Sequence, residues 1–278
     1  MTAMSSPLAA LLRVLDNFPA IAVAVSGGVD SLTLATVAHR SRGVGAVAMF
    51  HAVSPAVPEE ATRRVQALGA SEGWALEIVD AGEFNDPKYR DNPVDRCFYC
   101  KSHLYAAIAA RTGAQIVSGT NIDDLGEYRP GLEAARSRAV RHPYVEARIG
   151  KRALRTIARD LGLTGIADLP ASPCLASRIE TAIVIEPDVL ELVDLIETSV
   201  KRAIDARTVR CRVRSGGMVI ELDADSMQQL GSAREEEIRA RALAHMDRAG
   251  RRYELSFETY RNGSAFLRQP ERDRTARP

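Results

Sequence analysis

The sequence predicts an α/β protein: a parallel sheet covered by helices, followed by a smaller α+β domain. Three observations lead there. Short apolar runs at Ile21–Val25, Ala46–Phe50, Leu76–Val79 and Gln115–Ser118 alternate with helical patterns, as parallel strands joined by crossover helices do. The first run stops at Gly27-Gly28 and passes directly into helical spacing at Leu32, Leu34, Ala35, Val37 and Ala38. Beyond residue 186 the order changes to helix, hairpin, helix and strand.

Taken in order, residues 7–17 read as a short amphipathic helix leading into the first strand. A helix from Ser31, a strand at Ala46–Phe50 and a loop at His51–Pro58 come next. The helix Glu59–Gly73, the strand Leu76–Val79, the helix His103–Thr112 and the strand Gln115–Ser118 complete the alternation, and Lys151–Leu161 adds a further helix. Gly165–Thr181 is rich in Pro, Ala and Ser and marks the domain boundary. Val189, Leu192, Val193, Ile196, Val200 and Ile204 then line one helix face. A strand at Thr208–Arg214, a Ser215-Gly216-Gly217 turn and a strand at Met218–Leu222 form a hairpin. A helix over about Met227–Arg248 and a strand at Arg252–Phe257 follow. The expected division is 1–165 for the parallel-sheet domain, 166–185 for a mobile loop, 186–268 for the second domain and 269–278 for a disordered tail.

Composition narrows the function classes. The chain has 278 residues, long enough for one large or two medium cores. Lys+Arg (37) and Asp+Glu (36) nearly cancel to a net charge of +1, so no global field favours nucleic acid or a membrane surface. Its 4 cysteines are too few for a disulfide scaffold at this length. Arg13, Asp16, Asn17 and Pro19 interrupt the apolar N-terminus, and no run approaches the ~20 residues of a membrane span. A cytoplasmic protein is expected.

The chemistry concentrates in three stretches. In Ser26-Gly27-Gly28-Val29-Asp30-Ser31, glycines able to adopt positive φ precede a helix N-terminus, whose unpaired N–H groups and dipole suit phosphate. Ser26 and Ser31 add hydroxyls, and Asp30 suits a magnesium ion or a helix cap. No Walker or G-x-G-x-x-G pattern is present. The string closely resembles the pyrophosphate-loop (PP-loop) signature of enzymes that split ATP between its α- and β-phosphates and activate a substrate oxygen as its adenylate. Gly119-Thr120-Asn121-Ile122-Asp123-Asp124 leaves the fourth strand toward the same edge, with Tyr128-Arg129-Pro130-Gly131 behind it. An Asx-rich turn that merely starts a helix is the plain alternative there. Gly119 and Arg129 are candidates for the nucleotide.

The third stretch is Pro170-Ala171-Ser172-Pro173-Cys174-Leu175-Ala176-Ser177-Arg178. Free cysteines are usually small buried hydrophobes, yet this one sits in a Pro/Ser loop near an arginine, which favours the nucleophilic thiolate. Cys97-x-x-Cys100 lacks two further zinc ligands at paired spacing.

Taken with Arg96-Cys97-Phe98-Tyr99-Cys100-Lys101 and Tyr260-Arg261-Asn262-Gly263-Ser264, these motifs resemble the LarE family of ATP-dependent sacrificial sulfur transferases over most of residues 15–266. The resemblance implies an adenine nucleotide alpha hydrolase-like domain, ATP and magnesium (at Asp30), and a homo-oligomer. The implied substrate is pyridinium-3,5-biscarboxylic acid mononucleotide, whose thiolated product becomes a nickel-pincer cofactor. It implies Cys174 as the sulfur donor, left as dehydroalanine. Arg178, Glu197, Arg212, Arg214 and Arg261 are candidates for the substrate's phosphate and carboxylates; Arg212 and Arg214 alternate on one strand and share a face. Some members of the family hold an iron–sulfur cluster with three cysteines, and no second or third cysteine lies near Cys174. Leu169 stands where the family's segment carries lysine, and Ser215-Gly216-Gly217 replaces a His-Gly turn. A PP-loop tRNA thiolase and an ammonia-dependent adenylating synthetase are the alternative readings.

Overall fold

The computed structural model describes residues 6–43, 45–126, 129–261 and 263–265. Tyr128, Asn262 and the tail from Gln269 lie outside them. In chain order the elements are α1 (Pro7–Leu15), β1 (Ile21–Ala24), α2 (Val29–Arg42), β2 (Val47–Ala52), α3 (Glu59–Glu72), β3 (Ala75–Val79), α4 (Pro87–Arg90), α5 (Arg96–Ala109) and β4 (Gln115–Ser118). Four helices follow: α6 (Gly131–Ser137), α7 (Pro143–Glu146), α8 (Lys151–Asp160) and α9 (Thr164–Ala167). The last elements are α10 (Pro187–Ala203), β5 (Val209–Arg214), β6 (Gly217–Leu222), α11 (Ala224–Gln228), α12 (Ser232–Arg248) and β7 (Leu255–Thr259). No helix among the described residues is long and apolar enough to cross a membrane. The chain divides into two units, Met1–Asp86 with Asp95–Pro173, and Pro87–Val94 with Cys174–Pro278.

The first unit is built on a parallel four-stranded sheet in the order β3-β2-β1-β4. β1 is central, and all four of its residues are buried. Its alternate side chains enter different cores, as a period of two requires. Ile21 and Val23 pack with Leu11, Leu15, Leu32 and Leu154 on one face, while Ala22 and Ala24 pack with Phe50, Tyr105 and Ile108 on the other. Burial on both faces explains why this strand reads as a continuous apolar run. Because the strands are parallel, the loops after β1, β2 and β4 all emerge at one edge.

The second unit holds a three-stranded sheet in the order β5-β6-β7. β5 and β6 form the expected hairpin, and β7 returns parallel to β6. Gly217 closes the turn at φ +131, and a Cβ there would lie 2.5 Å from the Glu254 carbonyl oxygen, so only glycine fits. The segment 87–94, counted with the first domain in the sequence reading, is tied to residues 179–185. The Asn92 side-chain amide donates to the carbonyls of Glu180 (2.8 Å) and Ile183 (2.9 Å), and Ile185 N–H donates to Arg90 O (2.8 Å).

Several boundaries differ from expectation. α5 starts at Arg96 rather than His103, which places Cys97 and Cys100 on its first turns. The long helix expected over about Met227–Arg248 breaks before Gly231, which caps α12 in extended geometry. The 166–185 stretch carries the end of α9 and a 3-10 turn at Leu175–Arg178.

Candidate functional site

In the first unit the glycine loop is held from three sides. Gly27 has φ +81, and a Cβ on it would sit 2.8 Å from Ala61 O on α3. Arg64, also on α3, donates to Gly27 O at 2.7 Å. His51, at the end of β2, donates from Nδ1 to Val25 O (2.8 Å) and accepts at Nε2 from Thr62 (2.9 Å). Burial lowers its pKa and keeps the ring neutral for that arrangement. Gly28 departs from the sequence expectation: its φ of −86 and ψ of 163 are extended, and it serves as the N-cap of α2. Gly28 gives that helix no side-chain cap, and the first N–H groups of a helix have no partner within it.

Both serine hydroxyls close the turn on itself. Ser31 Oγ accepts from Ser26 N–H (3.0 Å), lies 3.1 Å from Ser26 Oγ and donates to Gly28 O (3.2 Å). Gly119 lies directly against this turn, since a Cβ there would be 2.8 Å from Ser31 N. Gly27→Ala is therefore expected to lose about 3 kcal/mol, from a left-handed backbone plus overlap with α3. Thermal unfolding checks this, and an unchanged Tm would mean the loop relaxes freely.

Sequence reasoning missed the partner of Asp30. Lys151 Nζ, at the start of α8, donates to both Asp30 carboxylate oxygens at 2.7 and 2.6 Å. Tyr144, fully buried, donates to the Asp30 carbonyl at 3.1 Å. A loop with no lysine of its own is thus served by one from a distant helix. The Gly119–Asp124 segment is largely self-engaged. Asp124 Oδ2 accepts from the Asn121 backbone and side-chain amides, and Asp124 Oδ1 pairs with Arg129 at 2.8 Å. Asp123 accepts from Lys151 N–H at 2.6 Å and so caps α8. Ser118 Oγ lies 2.9 Å from His142 Nδ1. Magnesium commonly takes one or two carboxylates and completes its shell with water and phosphate. Asp30 offers one such carboxylate, both of whose oxygens are engaged here by Lys151.

Along the chain, burial changes abruptly after Cys174, the first residue of the second unit's long segment. Pro170–Cys174 are exposed, whereas Leu175, Ala176, Ser177, Arg178 and Ile179 are all buried. Arg178 explains the anchor. Its Nε and Nη2 donate to both oxygens of Glu197 at 2.8 and 3.0 Å, with side chains only 3% and 2% exposed. Its Nη1 donates to the Cys174 carbonyl (3.2 Å) and to Ser177 Oγ (3.0 Å). Burial opposes the charge on both partners, but their mutual hydrogen bonds outweigh it: Arg178 is raised and Glu197 lowered from their ordinary values. The pair is fully ionised, and removing either member of such a pair costs about 3–5 kcal/mol.

Arg212 donates to Ser177 O (2.9 Å) and to Glu221 (2.9 Å). Arg214 shares that face, bonding Glu221 at 2.7 Å and Glu258 at 3.0 Å. Glu221, a residue that sequence reasoning missed, is fully buried between the two arginines, and Ser264 Oγ donates to it at 2.7 Å. Arg261 stands apart, 75% exposed and 3.6 Å from Glu258. Cys211 is buried, and its thiol pKa is pushed up first by desolvation and then by Glu197. Cys97 and Cys100 are half-buried and stand one turn apart on α5.

No protein-family model matches the chain. An uncharacterised Synechocystis protein, slr1717, is 38% identical over 211 residues, 74% of this chain and 78% of that protein. The pyridinium-3,5-bisthiocarboxylic acid mononucleotide synthase of Lactiplantibacillus plantarum is 28% identical, covering 80% of this chain and 81% of its own. An uncharacterised Methanocaldococcus jannaschii protein, MJ0830, is 25% identical, covering 79% and 83%. With the glycine loop, the cysteine turn and these likenesses together, the chain belongs to the family of slr1717, a LarE-like family.

Proposed function

We propose that this chain is an ATP-dependent sulfur transferase that adenylates the carboxylates of pyridinium-3,5-biscarboxylic acid mononucleotide and converts them to thiocarboxylates with the sulfur of Cys174. The observation that carries the reading is the exposed Cys174 thiol, placed where an exposed Pro/Ser segment meets a turn locked by buried arginine. The enzyme name of the L. plantarum relative supports the substrate class.

A carboxylate is a poor acyl donor, so activation comes first. A substrate carboxylate oxygen attacks the α-phosphorus of ATP, and pyrophosphate leaves. The start of α2 receives the phosphates, Gly27 and Gly119 let the loop pack closely against α3 and the end of β4, and Asp30 would hold magnesium, which would supply neutralisation of phosphate charge. Thiolate attack by Cys174 on the acyl carbon then expels AMP and forms a thioester. Removal of the Cys174 Cα proton breaks the Cβ–S bond, which leaves sulfur on the substrate and dehydroalanine in the chain. Each chain gives one sulfur, in a route toward a nickel-pincer cofactor.

Intact mass of the protein, taken before and after incubation with magnesium, ATP and the mononucleotide, tests this directly. A loss equal to one hydrogen sulfide, mapped to residue 174 and matched to pyrophosphate released, is expected. Full thiolation at unchanged mass would instead mean sulfur relay, and the absence of pyrophosphate would end the nucleotide reading.

A further inference from the structure

The fold grips Cys174 by its main-chain carbonyl and leaves its sulfur exposed. Two donors converge on that oxygen, the Ser177 backbone N–H at 3.0 Å and Arg178 Nη1 at 3.2 Å. Arg178 cannot swing away cheaply, because Glu197 holds its other edge through two bonds and is itself fixed by Cys211 N–H at 2.9 Å. Paired donors of this kind, one of them cationic and buried, stabilise negative charge that develops on a carbonyl oxygen.

That carbonyl is bonded to the carbon whose proton must leave in the last step of the sulfur-transfer reading, on which this inference rests. We infer that the Ser177 amide and the Arg178 guanidinium form an oxyanion hole for the enolate of residue 174. Arg178 is then a catalytic residue of the elimination and not a contact for the substrate's phosphate. A base, for which water or buffer suffices, takes the Cα proton. The C–H electron pair enters the Cα–C bond and the charge comes to rest on the carbonyl oxygen, between the two donors. As the carbonyl re-forms, that pair becomes the Cα=Cβ bond. The Cβ–S bond breaks, and sulfur departs with its bonding electrons as the thiocarboxylate. No outside oxidant or reductant enters.

Arg178→Lys keeps a cation for Glu197 but replaces the fork by a single ammonium. With magnesium, ATP and the mononucleotide, the variant is expected to accumulate the acyl adduct on Cys174 and to form dehydroalanine about a hundredfold more slowly than wild type. Wild-type elimination from the adduct would overturn the inference. A second measurement needs neither ATP nor the mononucleotide. Arylation with 1-fluoro-2,4-dinitrobenzene turns each cysteine sulfur into a good leaving group, and release of dinitrothiophenolate at mildly alkaline pH is followed by absorbance and peptide mass. Residue 174 is expected to eliminate faster than Cys97 and Cys100 of the same chain, and about tenfold more slowly in Arg178→Lys. Equal or slower release at residue 174 in the wild type overturns the inference without any variant. Failure of thiolation beside fast release at residue 174 would count against the proposed function alone.

Discussion

Replacing Cys174 with alanine is expected to leave substrate-dependent pyrophosphate release intact while bringing thiolated product to zero. The side chain is exposed, and the contacts that anchor residue 174 use its carbonyl, so the turn survives the loss of sulfur. Truncation at an exposed position of this kind changes stability by about 0.5 kcal/mol or less. On the proposed function, adenylation takes place at the glycine loop and does not use the thiol. Pyrophosphate assay beside mass analysis of the mononucleotide separates the steps. Thiolated product from the variant would show that sulfur comes from elsewhere, with Cys97 and Cys100 the first places to look.

The second large effect concerns Asp30 and Lys151. Their ion pair is partly exposed, with side chains 28% and 35% accessible, so solvent screening limits it to about 1 kcal/mol. On the proposed function, magnesium and a triphosphate would compete with such a contact, the cation for the carboxylate and the phosphates for the ammonium. Asp30→Ala is expected to abolish adenylation, and normal pyrophosphate output from it would refute the metal role. Lys151→Met is expected to lower the rate of pyrophosphate release about a hundredfold, the usual scale for losing one charge-stabilising donor. Because it also removes the competitor for Asp30, its half-saturating magnesium concentration should fall. A magnesium titration of both variants reads out the exchange, and an unaltered midpoint in Lys151→Met would show that the two cations do not compete.

What the sequence made legible was local. The β1–loop–α2 passage reads directly because an apolar run, two glycines and helical spacing are consecutive, and α10 reads because its apolar stripe is long. The short helices α4, α6 and α7 have too few turns for a period to register. Gly231 breaks the long C-terminal helix between Met227-Gln228-Gln229-Leu230 and the charged run from Arg234, both of which read as helical. The site was legible in its residues but not in its pairings. Asp30 and Lys151 lie 121 residues apart, and no local pattern joins them. Arginine is so common here that each one reads as a solvated surface group, yet Arg178 and Arg212 are buried on carboxylates. Cross-strand register held the clue to Glu221, which stands opposite Arg210 on one side and Glu258 on the other.

The grip on residue 174 through its carbonyl has a consequence for the life of the molecule after use. The hydrogen bonds that hold the turn use the carbonyl of residue 174 and not its sulfur, so on the proposed function a desulfurised chain would keep its turn. Cellular quality control that recognises unfolding would then have little to act on. On the proposed function, whatever retires or restores it would instead read the new alkene at the exposed position 174, an electrophile open to thiols.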